Sequence, residues 1–196
     1  TAAPVVHLNA APVFVDIDLA NWCIDPLEVE KAITPKTKAI IVTHLYGNVA
    51  EINALREISR EHSLLFVEDA AEALGSYHMK QHVGTQSDFG VFSFHGTKSL
   101  TTGEGGMLVT DNFDLFKRVK QLNNHGRSDT EHRHFWSEMV GYKYRMSNLQ
   151  AALGYAQLLR FDELIERKQK ILRYYKTLFA SVPSIEMNVE TSNNSN

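Results

Sequence analysis

The sequence predicts an α/β fold, a mostly parallel sheet flanked by helices. Three observations carry this expectation. Apolar, β-branched or aromatic runs of strand length recur at 39–42, 64–67 and 91–94. Between the first two lies a helical stripe of Ile52, Leu55 and Ile58, the kind of crossover that parallel neighbours need. The run Leu64-Leu65-Phe66-Val67 is apolar at every position, which predicts burial on both faces. Alternating strands and helices of this kind give an α/β sheet with right-handed crossovers.

The elements follow in order. Pro12 to Asp18 reads as a strand ending in acids. Asp25-Pro26-Leu27-Glu28 reads as a helix start, with Asp25 at the N-cap, Pro26 in the first turn and Glu28 reaching back. Lys38 to Leu45 is a strand that runs into His44-Leu45-Tyr46-Gly47, and the helix of Ile52, Leu55 and Ile58 ends near His62. Strands at 64–67, 91–94 and 106–110 complete the sheet. From Ser147 the pattern becomes helical: Leu149, Ala152, Leu153, Ala156 and Leu159 share a face. Leu164, Ile165, Lys168, Ile171, Leu172, Tyr175 and Leu178 continue it as one long amphipathic helix. Two units are expected, 1–160 as the central part of a large domain and 161–196 as a long helix and linker toward another. The chain opens on Thr1-Ala2-Ala3-Pro4 without a capped element and closes on the polar tail Glu190 to Asn196, as an internal piece of a larger fold would.

With 196 residues, 43% of them hydrophobic, the chain can bury a sizeable core. A net charge of −3 points to neither nucleic acid nor an anionic membrane. Cys23 is the single cysteine, so no internal disulfide forms, and a reduced, cytoplasmic protein is expected. No apolar run reaches the length of about 20 residues that spans a bilayer. Nine histidines invite a metal reading, but His125, His132 and His134 lack a helical i,i+4 ligand pair, so no metal site is expected.

The chemistry concentrates in two stretches. Ser93-Phe94-His95-Gly96-Thr97-Lys98 leaves the strand at 91–94, and Gly103-Glu104-Gly105-Gly106 leads into the next. One lysine is thus held on a tight loop against a sheet end, the setting for amine chemistry on a carbonyl group. The strand at 64–67 ends in Glu68-Asp69-Ala70-Ala71-Glu72. Ligands of open α/β sheets sit beyond the carboxyl ends of strands, so Asp69 is placed to meet one, with Glu72 a helical turn further on. Taken singly, a strand-terminal Asp is more often an N-cap, a loop lysine a solvated charge and Gly-Glu-Gly-Gly a turn. Their order and spacing together are far more specific.

Glu-Asp-Ala-Ala-Glu-Ala-Leu-Gly (68–75), with Ser-Phe-His-Gly-Thr-Lys and Thr-Thr-Gly-Glu-Gly-Gly-Met-Leu-Val-Thr across 93–110, closely resembles the DegT-type nucleotide-sugar aminotransferases, which are fold type I pyridoxal-phosphate (PLP) enzymes. The likeness extends to Pro12–Asp18, His44–Gly47 and Gly-Tyr-Lys-Tyr-Arg-Met-Ser-Asn-Leu-Gln-Ala-Ala (141–152), and within the family it is nearest the perosamine-synthase group. The resemblance implies the large domain of that fold, incomplete at both ends, with PLP as cofactor. It makes Lys98 the catalytic lysine that binds PLP covalently, Asp69 the partner of the pyridine nitrogen, Glu72 a neighbour of the ring hydroxyl and Ser93 a phosphate ligand. Many relatives place at the position of Lys143 an Asn that reaches the phosphate from a second subunit. The implied substrates are glutamate and a nucleotide-linked keto-deoxy sugar, of the GDP-4-keto-6-deoxy kind, and the implied assembly is a homodimer. The family's dehydratase branch carries His at the Schiff-base position, so Lys98 argues for aminotransfer. The Gly-Thr phosphate turn and the stacking aromatic of the family lie upstream of Thr1, and its small domain lies beyond Asn196.

Other residues stay open to two readings. His95 either approaches the cofactor phosphate or is a packed or solvated loop histidine. His44 and Tyr46 either line the pocket or form a turn held by Gly47. Arg145, with Tyr142 and Tyr144, either meets a sugar or phosphate or pairs with a carboxylate. Trp22 and Trp136 read as packing residues. The reading from another class is a non-catalytic or truncated homologue acting as a binding or regulatory protein.

Overall fold

The computed structural model describes residues 1–127 and 136–188 and the backbone of Asn194–Ser195. In chain order the elements are α1 (Ala3–His7), α2 (Pro26–Ala32), β1 (Ala39–Thr43), a 3-10 turn (Leu45–Gly47), α3 (Ile52–Glu61), β2 (Leu65–Asp69), β3 (Tyr77–His78) and β4 (Gln81–His82). They continue with β5 (Phe89–Ser93), β6 (Gly106–Val109), α4 (Phe113–Asn123), α5 (Asn148–Leu158), α6 (Phe161–Leu178) and β7 (Asn194–Ser195). The central sheet has the order β1-β2-β5-β6, the first two pairings parallel and the last antiparallel. Asp69 and Ser93 therefore lie at the carboxyl ends of two adjacent parallel strands. A small antiparallel sheet, β4-β3-β7, stands beside it.

Local chemistry explains the boundaries. Asp25 caps α2 by accepting from Leu27 N–H at 2.8 Å, and Pro26 occupies the first turn. Glu28 does not reach back to the cap; it pairs with Lys31 Nζ at 2.6 Å, one turn on. Helix α3 buries Ile52, Leu55 and Ile58 and carries the chain from β1 to β2. These side chains join Ile40, Val42, Phe66, Val83, Phe92, Phe94 and Leu100 in one hydrophobic core. Cys23 lies within it, and burial pushes its thiol up, against the lowering contact of the Leu45 backbone.

Several expectations are corrected. Residues 12–16 are not a strand: among the described residues no neighbour pairs with them, Ile17 alone bridges, to Ile24, and Val13 and Phe14 stand exposed. Strand β2 is buried on one face alone, through Phe66 and Glu68, while Leu65 on the other face is half exposed. The connection from β2 to β5 contains the β3–β4 hairpin rather than a helix. The helix from Ser147 is two helices. Arg160 leaves helical geometry (φ −117°, ψ 19°), and its guanidinium grips Glu163 at 2.9 and 3.1 Å. Asp162 and Glu163 fill the first turn of α6, where acids favour a helix start. Ser147 heads α5 in a full capping box with Gln150. The polar tail contributes β7 at 194–195, paired with β3; its remaining residues, 190–193 and 196, lie outside the described residues. No helix among the described residues is long and apolar enough to cross a membrane.

Candidate active site

Strand β2 delivers two carboxylates with different fates. Asp69, at its last position, accepts from Ala71 N–H at 3.1 Å through Oδ1, so the side chain also caps the turn that follows. Oδ2 accepts the Thr1 hydroxyl at 2.5 Å, and that hydroxyl lies 3.1 Å from Thr43 Oγ1 at the end of β1. Asp69 thus presents an acceptor oxygen above the strand ends and already holds a donor there. Glu72, on the turn beyond, accepts from Tyr46 N–H at 3.2 Å and from Lys98 Nζ at 3.3 Å, one oxygen for each.

Lys98 stands on the loop between β5 and β6. Phe94 N–H donates to Gly105 carbonyl at 2.9 Å and Thr102 N–H to Phe94 carbonyl at 2.9 Å, closing the base of that loop. A turn at its apex has Lys98 N–H donating to His95 carbonyl at 3.0 Å. Ser93, half-buried at the end of β5, accepts from His95 N–H at 3.3 Å, which leaves its hydroxyl proton available. His95 is an exposed loop histidine, 3.2 Å from Thr97 Oγ1 and 3.7 Å from Glu104 Oε1.

Beneath these groups sits a buried pair that the sequence reading did not single out. Glu68 is wholly buried, 0% exposed, yet the His44 ring, the Gly84 N–H and the Gln86 N–H meet its oxygens at 3.2, 2.8 and 2.8 Å. His44 Nδ1 accepts from Ala50 N–H, so Nε2 carries the proton that points at Glu68. Burial alone pushes the Glu68 carboxyl up, but the His44 and Gly84 hydrogen bonds outweigh it and hold the group below its ordinary range. His44 precedes the 3-10 turn Leu45–Gly47, with Gly47 at φ 86°, as the turn reading expects, and its buried ring is an internal strut, while Tyr46 lines the cavity. The signal was present in Glu68, which continues the apolar run 64–67 and lies opposite Val42.

A cavity of about 430 Å³ opens beside Lys98 and Glu72, walled by Tyr46, Gly75, Ile165 and Leu172. Tyr46 adopts φ 54° within the 3-10 turn, which turns its ring outward. The sequence-derived set therefore divides. Glu72 and Lys98 touch and line the cavity, Asp69 and Ser93 occupy the neighbouring strand ends, and Lys143 lies apart, exposed and bridged to Asn124. Tyr142 and Tyr144 stack at 4.9 Å on either side of Lys143 in the chain. Arg145 is exposed and pairs with no carboxylate among the described residues. Trp22 is half-buried, but Trp136 is 53% exposed and is not a core residue. His132 and His134 lie outside the described residues. Glu30, Glu61 and His62 approach one another on the open surface, as exposed acids commonly do.

The model of the DegT/DnrJ/EryC1/StrS aminotransferase family matches residues 1–196, the whole chain. The chain belongs to this family. GDP-perosamine synthase of Escherichia coli O157:H7 is 42% identical over 172 residues, covering 88% of this chain and 47% of the relative. GDP-perosamine synthase of Caulobacter vibrioides is 40% identical over 180 residues, 92% of this chain and 48% of the relative. Among solved structures, PseC of Helicobacter pylori, an aminotransferase involved in the biosynthesis of pseudoaminic acid, superposes with a TM-score of 0.89 at 32% identity, over 93% of this chain and 49% of that one. DesV of S. venezuelae gives 0.89 at 33% identity, over 100% and 53%. The α/β large-domain fold of PLP-dependent sugar aminotransferases is thereby established for this DegT-family chain, which spans about half the length of the curated relatives it matches.

Proposed function

We propose that this DegT-family protein is a PLP-dependent aminotransferase that moves an amino group from glutamate to a nucleotide-linked keto-deoxy sugar. The carrying observation is Lys98 Nζ, held 3.3 Å from Glu72 at a cavity beyond the carboxyl ends of a parallel sheet. The donor set fits PLP. Lys98 offers an amine, Asp69 an acceptor oxygen that already takes an O–H donor, and Ser93 a hydroxyl beside glycine-rich backbone. When bound, PLP supplies an electron sink for carbanion chemistry at the carbon bearing nitrogen.

The chain's own residues do the rest. Asp69 Oδ2 would hold a proton on the ring nitrogen, with its other oxygen fixed by Ala71 N–H. Glu72, anchored by the Tyr46 backbone, orients Lys98 Nζ and borders the ring hydroxyl. Lys98 Nζ would take the proton from the α-carbon of glutamate in the first half-reaction and would deliver one to the sugar carbon that receives the amino group in the second. Ser93 Oγ would donate to the phosphate, and Lys143 of a second subunit would offer it a positive charge.

The likeness to GDP-perosamine synthases supports a GDP-linked 4-keto-6-deoxy sugar as acceptor, with a product destined for a surface glycan such as O-antigen. We read the protein as a cytoplasmic homodimer, with 1–160 belonging to the large domain and 161–196 leading toward a small one. Borohydride reduction of the protein with PLP, followed by peptide mapping, tests the reading. A phosphopyridoxyl adduct confined to Lys98 is expected. Label scattered over surface lysines overturns it.

A further inference from the structure

Helix α5 lies against the loop that carries Lys98 and touches it with a single face. Gln150, Gly154 and Gln157 are spaced four and three apart, so they share one side of the helix. Gln157 makes two bonds to one loop residue: Oε1 accepts from Thr101 N–H at 3.1 Å, and Nε2 donates to the Thr101 carbonyl at 2.7 Å. The same Nε2 donates to the Leu153 carbonyl at 2.9 Å, which fixes the side chain on its own helix. Gln150 Nε2 donates to the Glu104 carbonyl at 2.9 Å, while its Oε1 accepts from Ser147 N–H in the capping box. Gly154 is the buried residue of α5, and a methyl carbon there would stand 2.8 Å from Thr102 Cγ2. The helix approaches this closely only because position 154 has no side chain.

The loop has two limbs. Its base is closed by the bonds of Phe94 to Gly105 and Thr102, and by Thr101 Oγ1 donating to the Phe94 carbonyl at 3.1 Å. Its return limb has both backbone groups of Thr101 gripped by Gln157, three residues after Lys98. The amide fits a backbone peptide group as a neighbouring strand would, with one donor and one acceptor. Any shift of Thr101 is carried through the short segment Ser99-Leu100 to the lysine, and Leu100 is buried and cannot absorb it.

We propose that Gln157, supported by Gln150 and Gly154, is a positioning residue for Lys98. It clamps the Thr101 backbone and so fixes where Nζ stands relative to Glu72. The inference rests on the reading of Lys98 as the amine that takes PLP, and it adds a second layer behind that amine.

The test compares the complete wild-type protein with Gln157→Met and Gln157→Glu. Methionine keeps the length and volume but loses both bonds to Thr101. Glutamate keeps an acceptor for Thr101 N–H but sets a carboxylate against the Thr101 carbonyl. In Gln157→Met we expect kcat to fall roughly tenfold to hundredfold with the KM for the amino donor little changed, the signature of a displaced reacting group. The pH at which borohydride traps half of Lys98 should move with it. In cofactor-free protein, amide hydrogen exchange across residues 98–103 should accelerate in both variants. A Gln157→Met protein with unchanged kcat, trapping profile and exchange, altered only in melting temperature, overturns the clamp. The wild type separates the two claims. Lys98 labelled in wild type with the Met variant unaltered sinks the clamp alone, whereas no Lys98 adduct in wild type sinks the site reading and the clamp with it.

Discussion

Lys98 and Glu72 are 26 residues apart in the chain and meet because two adjacent strands end side by side. Removing the amine should remove the chemistry. Lys98→Ala in the complete protein is expected to lower aminotransfer by at least about 10²–10⁴-fold and to abolish the borohydride adduct, measured by single-turnover assay and mass mapping. Glu68 acts at the same scale through stability. Its folded carboxyl titrates below the ordinary value of 4.5, so its contribution is complete above that value and is lost as the pH falls through the lower, folded one. Glu68→Gln should cost about 2–3 kcal/mol at neutral pH by urea unfolding, and the variant should lose less further stability than wild type on acidification below about pH 4.5. That Lys98, Asp69 and Glu72 stand at neighbouring strand ends could be read from the sequence because each sits in a dense local motif. His44 could not be assigned that way: whether a histidine at a strand end faces a pocket or a buried carboxylate depends on a partner 24 residues distant.

Elements form where local pattern and a neighbour agree. The α3 stripe and the β1 and β2 runs were legible, and the structure pairs those strands in parallel register, Ile40 with Phe66 and Val42 with Glu68. Residues 12–16 carry a strand-like sequence but find no ladder, since β-propensity is largely a statement about cross-strand packing. The α5–α6 break was hidden because the apolar spacing continues across it; the acids at 162 and 163 were its visible sign. Two predictions belong here. Leu55→Ala, at a fully buried position of α3, should cost about 2–5 kcal/mol, read as a lower urea midpoint with an unchanged slope. Gly90→Ala should cost about 1–3 kcal/mol, because its methyl would overlap the Gly84 carbonyl and push the 83–86 loop off the sheet. That displacement would also withdraw Gly84 N–H from Glu68, so the variant should share the altered acid response.

At the scale of the whole molecule, large apolar side chains stand exposed on two helices: Leu149, Leu153, Tyr155, Leu158 and Leu159 on and just beyond α5, and Ile171, Tyr174 and Leu178 on α6. Patches of this kind mark surfaces meant to be covered. Light scattering of the purified protein is expected to return at least twice the protomer mass, and a monomer at micromolar concentration would contradict the homodimer reading. Which apolar side chains stay exposed was not legible in a chain of 43% hydrophobic residues, because composition does not say what a fold leaves outside. For an assembly completed by a second copy, the folded fraction depends on protomer concentration. The folded fraction would then rise more steeply than synthesis, and a promoter running at half strength would deliver less than half of the folded protein.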